Sequence, residues 1–94
     1  MTRALKETTA YIKSCTDAMN RYVDYAKEDK THEVDWNRNW AITVIESEYR
    51  QAFGALQLAY IYLEDIEEED HDTLKDRLFK EWKKAENRCW EEIK

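Results

Sequence analysis

The chain has no proline and a single glycine, Gly54, in 94 residues. Tight β-turns draw on those two residue types, so a meander of short strands is excluded and long helices with few connections are expected. Two cysteines, Cys15 and Cys89, are too few for a disulfide framework and read as reduced thiols of a cytoplasmic protein. Long apolar runs are also missing. Nothing approaches the ~18–20 residues of a membrane span, and the opening MTRALKETTAYIKSC is polar where a signal peptide needs an apolar stretch. There is no glycine-rich phosphate loop and no nucleophile motif containing histidine, so an enzyme is not expected and no cofactor is called for. Basic charge is not in excess, and a net charge of −6 argues against direct binding to nucleic acid or to an anionic membrane.

What is present is a composition able to fold. The chain has the length of one domain, and 43% hydrophobic residues with 13% aromatics exclude a disordered acidic tail. Its charge is unevenly placed. Between Glu64 and Asp72 seven residues are carboxylates: Glu64, Asp65, Glu67, Glu68, Glu69, Asp70 and Asp72. The remainder of the chain balances to +1, so this block alone makes the molecule acidic.

Three amphipathic segments of helical period span the chain, at about 3–28, 36–68 and 72–93. In the first, Leu5, Tyr11, Ile12, Cys15, Ala18, Met19, Tyr22, Val23, Tyr25 and Ala26 share one core-facing arc. Asp29 to Asp35 is polar and forms the first connection, with Asp35 or Asn37 as the expected N-cap of the second helix. The apolar arc of the second helix holds Ala41, Ile42, Val44, Ile45, Tyr49, Ala52, Phe53, Ala55, Leu56, Ala59, Tyr60, Leu63 and Ile66. This places Glu64 to Glu68 at a helix C-terminus, where the helix dipole disfavours anions. The third helix aligns Leu74, Leu78, Phe79, Trp82, Ala85, Cys89, Trp90 and Ile93, opposite Arg77, Lys80, Lys84 and Arg88. Asp70, Asp72 or Thr73 is its expected cap.

Short connections make neighbouring helices antiparallel, which predicts an all-α, up-down-up three-helix bundle. From Leu58 to Leu63 (LAYIYL) the second helix is apolar all round, and Leu58, Ile61 and Tyr62 fall off its core face. They are the expected self-association residues, completing the bundle as a homo-oligomer, in the simplest case a dimer. Cys15 and Cys89 face the core at similar heights, ~25 Å above the end of the second helix, which leaves room for neighbouring thiols. Two small buried apolar groups is the plainer reading.

Glu48 sits in the middle of the second helix's apolar arc, where a carboxylate needs a partner such as a tyrosine hydroxyl or a cation from a neighbouring helix. Glu68-Glu69-Asp70-His71 has the Glu-x-x-His spacing of carboxylate metal sites in helical bundles, but occurs once, in a segment expected to be solvated. Glu69-x-x-Asp72 resembles half of the magnesium site of all-helical MazG-type nucleotide pyrophosphohydrolases. The other half, Glu-Glu-x-x-Glu, is not formed by Glu46 and Glu48.

Taken together, the sequence predicts a small acidic interaction module. Glu64, Asp65, Glu67, Glu68 and Glu69 would contact a basic, nucleic-acid-handling protein, in the manner of inhibitors, immunity factors and bacteriophage anti-defence proteins. Two alternatives stay open. Trp36, Trp40, Trp82 and Trp90 with six tyrosines suit a nucleotide-binding protein with sites between subunits. Glu48 and the acidic block suit a metal-dependent nucleotide hydrolase.

Overall fold

The computed structural model describes residues 2–94 and contains, among these, three helices and no strand. Helix α1 spans Arg3–Glu28, α2 spans Val34–Gln57 and runs on into a π-helical turn at Leu58–Tyr62, and α3 spans Glu68–Glu92. All three pack against one another in a rod of 46 × 18 × 17 Å. Lys27 meets Glu92 at 3.2 Å and Arg88 meets Asp24 at 2.8 Å, so α1 and α3 run in the same direction with α2 returning between them.

The helical stripes meet as their spacing predicts. Ile12, Met19 and Val23 of α1, Ala41, Ile45, Ala52 and Leu56 of α2, and Leu78, Ala85 and Cys89 of α3 form a continuous buried core. Small residues on α2 let the neighbouring helices come close. The margins of the stripes are wetter than their residue types suggest, because a three-helix rod covers each helix on part of its circumference only. Tyr11, Tyr25, Leu63, Phe79 and Trp90 all remain exposed.

Several boundaries differ from the periodicity. Helix α2 starts after Glu33, which makes no side-chain cap bond, and not at Asp35 or Asn37. Asn37 instead lies one turn inside, buried, and its Nδ2 donates to the carbonyl of Asp29 at 2.9 Å, satisfying the exit of α1. Thr2 caps α1 by accepting the Leu5 N–H at 3.1 Å.

The largest difference lies at the other end. Helix α2 does not continue to residue 68. In the π-helical turn the Leu63 N–H reaches back to the Leu58 carbonyl and the Asp65 N–H to that of Ala59. Glu64 then takes φ 53°, the left-handed conformation that ends helices. Ile66 is buried, but from the connection rather than from a helix face. Helix α3 therefore begins at Glu68, with Glu67 and not Asp70, Asp72 or Thr73 as its N-cap. Glu68, Glu69 and Asp70 occupy its first turn, where anions stabilise the helix dipole. The electrostatic conflict expected of this block is thus largely absent.

The helix register also separates the thiols. The Arg88–Asp24 pair aligns residues 64 apart, which puts Cys89 level with Tyr25, ~15 Å along the rod from Cys15. Both cysteines are free and buried, and they are not neighbours.

Candidate functional site

Leu58, Ile61 and Tyr62 project from the π-helical turn, 51%, 56% and 76% exposed, and Leu63 follows them at 57%. A π-helical turn adds a residue per turn and so rotates side chains out of the register that α2 had established. Here that rotation carries Leu63 away from the core, whereas Leu58, Ile61 and Tyr62 already lay off the core face of α2. Leu63 was expected in the core stripe and joins this surface.

The acidic residues lie directly beyond. Glu64, Asp65, Glu67, Glu68 and Glu69 are all exposed, whereas Asp70 is half-buried. Between the start of α1 and this connection runs a shallow groove of 560 Å³ whose walls include Glu7, Glu64, Asp65 and Glu67. Its one cationic wall residue, Arg3, is paired with Glu7 at 2.8 Å. Thr2 Oγ1 donates to the Asp65 carbonyl at 3.4 Å, holding the connection against α1. The result is a corner with an apolar face and an adjoining anionic face.

This corner is held from beneath by a residue that the sequence had placed in solvent. His71 is buried; its ring stacks on Tyr60 with centroids 4.0 Å apart, Nε2 lies 3.0 Å from Gln57 Oε1, and Nδ1 lies 3.1 Å from Asp72 Oδ1. Glu68, by contrast, is exposed. The Glu-x-x-His pair is therefore divided between surface and interior. Among the described residues no three His, Cys, Asp or Glu side chains are grouped to hold one metal ion.

Glu48 is half-buried rather than buried, and it accepts a hydrogen bond from the Tyr22 hydroxyl at 3.4 Å. Its carboxylate also bears on Cys15. Burial first, and then the Glu48 charge, push that thiol up to about 11. Burial pushes Cys89 up to about 11 as well. Neither thiol is in the ionised state that makes a cysteine reactive near neutral pH.

At the opposite end of the rod, Arg88 is not part of a solvated face. It donates to Asn20 Oδ1 at 2.9 Å and to Asp24 Oδ1 at 2.8 Å on α1, while Glu92 and Lys27 complete the cluster. The same end carries Arg38 stacked on Trp90, 4.7 Å from the ring centroid. Trp36 lies between the His32 ring, at 4.0 Å, and the parallel Trp40 ring, at 6.5 Å. Trp82 is instead half-buried against Tyr49 on the α2–α3 face. The four tryptophans thus do not converge on one groove.

No family model, curated protein or solved structure matches this chain. No helix among the described residues is long and apolar enough to cross a membrane.

Proposed function

We propose that this protein is a small interaction module whose α2–α3 corner binds a basic partner protein, in the manner of an inhibitor or immunity factor directed at a nucleic-acid-handling protein, of the kind bacteriophages make. The observation that carries this reading is the exposure of Leu58, Ile61, Tyr62 and Leu63 beside Glu64, Asp65 and Glu67. Contiguous exposed apolar residues on a small domain mark an interaction surface. An anionic rim steers cationic partners to it and disfavours anionic ones. Part of the acidic block also serves to start α3. Glu64 and Asp65 precede the Glu67 cap, so the helix start does not account for them.

The same apolar face supports self-association, as a second use of the corner. A two-fold arrangement there brings two acidic rims together, so it tightens as salt screens them, whereas binding to a basic partner weakens. Salt therefore separates the two uses.

The test is co-purification from the native host, followed by titration of the identified partner against the purified protein at low and high ionic strength. The triple variant Glu64→Lys, Glu67→Lys, Glu68→Lys should keep its helical circular dichroism and lose binding. Binding that survives the reversal overturns the proposal.

A further inference from the structure

Gly54 is the single glycine of the chain, and it stands inside α2. Its own fold does not require a glycine there. Its φ is not positive, and a Cβ built at this position meets no atom within 4 Å. Glycine in a helix interior is less favourable than alanine, so one chain by itself is destabilised at this position without return. What glycine does supply is bare backbone at the surface, which another element can approach closely.

The surroundings of that gap are specific. At 100° per residue Arg50, Gly54 and Ile61 fall on the side of α2 opposite Ala41, Ala52 and Leu56 of the core. Leu58 and Tyr62 flank them, and all five residues are exposed. Ile61, 56% exposed, projects ~10 Å along the helix from the gap. A projection and a gap on one stripe fit each other when the stripe meets a second copy of itself antiparallel.

Charge selects the same arrangement. Arg50 is 76% exposed and pairs with Glu46 at 2.7 Å. The midpoint of Gly54 and Ile61 in the chain is also the midpoint of Arg50 and Asp65. A two-fold axis there sets Arg50 of each copy beside the acidic rim of the other, whereas a parallel arrangement sets rim on rim.

We propose that a second copy of this chain docks antiparallel across the exposed side of α2, with each Ile61 over the other copy's Gly54 and each Arg50 beside its Glu64 and Asp65. The inference rests on the self-association reading of the corner and gives that contact its register. The occupant is a second copy because both halves of the fit, in shape and in charge, are carried by one stripe. Each chain keeps its charge of −6, so one exposed ion pair on either side lessens the repulsion without cancelling it, and salt still favours assembly.

The test is mass by light scattering across a concentration series at low and high ionic strength. The parent should reach the mass of two chains. Gly54→Leu should keep the mass of one chain with its helical circular dichroism unchanged, and Gly54→Ala should weaken assembly by about tenfold or more. In the Ile61→Glu background, where the copies are apart, Gly54→Ala should instead raise the melting temperature by about 4–8 °C. At low salt Arg50→Glu should weaken assembly more than Arg21→Glu, the same change of net charge on the exposed side of α1.

A parent that stays a single chain throughout overturns this docking together with self-association, and leaves the basic-partner reading in place. Assembly abolished by Ile61→Glu but kept by Gly54→Leu overturns the Gly54 contact alone. A lower melting temperature for Gly54→Ala in the Ile61→Glu background would show that the fold itself requires the glycine, and equal effects of Arg50→Glu and Arg21→Glu would refute the antiparallel register.

Discussion

Tyr60 lies flat against His71, with ring centroids 4.0 Å apart and planes within 17°. One ring belongs to the π-helical turn and the other to the first turn of α3, so this stack joins the apolar and acidic halves of the corner from below. With the Gln57 contact it fixes the angle at which the chain reverses. His71→Ala should lower stability by about 1–3 kcal/mol, from the lost stack and from the polar groups left without a partner. Urea denaturation measures this. A change within error would mean that Ile66 alone anchors the corner.

Glu64 is the one described non-glycine residue with positive φ. A side chain in that conformation is strained, and glycine is not. Glu64→Gly should therefore stabilise the protein by about 0.5–1 kcal/mol despite the loss of a charge, and Glu64→Val should destabilise it. Thermal melts of the two variants check the opposite signs. Two shifts of the same sign would refute a conformational origin.

Acid should weaken the far end of the rod through Glu92. Arg88, and then Lys27, hold the Glu92 carboxyl at about 2, below its ordinary 4.5. A depressed folded value contributes stability that is complete above the unfolded value and is lost as pH falls through the folded one. The loss attributable to Glu92 should thus fall between pH 4.5 and about 2. Glu92→Gln should be less stable than the parent at neutral pH and show a flatter acid limb across that window. Denaturation at stepped pH reads both effects, and parallel curves would contradict the assignment.

The two thiols offer an internal control. Both are held at about 11, but only Cys15 has Glu48 among the causes. Glu48→Gln should move thiolate formation at Cys15 to lower pH and leave Cys89 in place. Alkylation followed by peptide mass spectrometry resolves the two sites. The separation of ~15 Å along the rod also predicts that a mild oxidant forms no disulfide within one chain.

Ile61, at 56% exposure, tests assembly without touching the core. Ile61→Glu should lower the mass measured by light scattering towards that of a single chain. The parent's mass should rise with salt, since screening relieves the acidic rims. A mass unaffected by the substitution removes self-association from the corner's roles.

The sequence alone determined that the chain forms three helices and which stripe of each is buried. Ile12, Met19 and Val23, or Leu74, Leu78 and Ala85, announce a face through a period of 3.6 residues, a property each segment carries locally. The exposure of Leu58, Ile61 and Tyr62 was legible for the same reason, while Glu48, expected in the core, is half-buried and meets the Tyr22 hydroxyl, one of the partners its position suggested. The tertiary structure decided where α2 stops, because Leu63 and Ile66 continue the helical period while the backbone turns at Glu64, a residue type that gives no sign of a left-handed conformation. It also decided that Arg88 reaches across to Asn20 and Asp24, that His71 goes inward, and that Asn37 and Asp29 meet beneath Trp36. A stripe reports which side of a helix avoids water. How far two helices slide along each other depends on side chains sixty or more positions apart, whose summed contacts no local pattern contains.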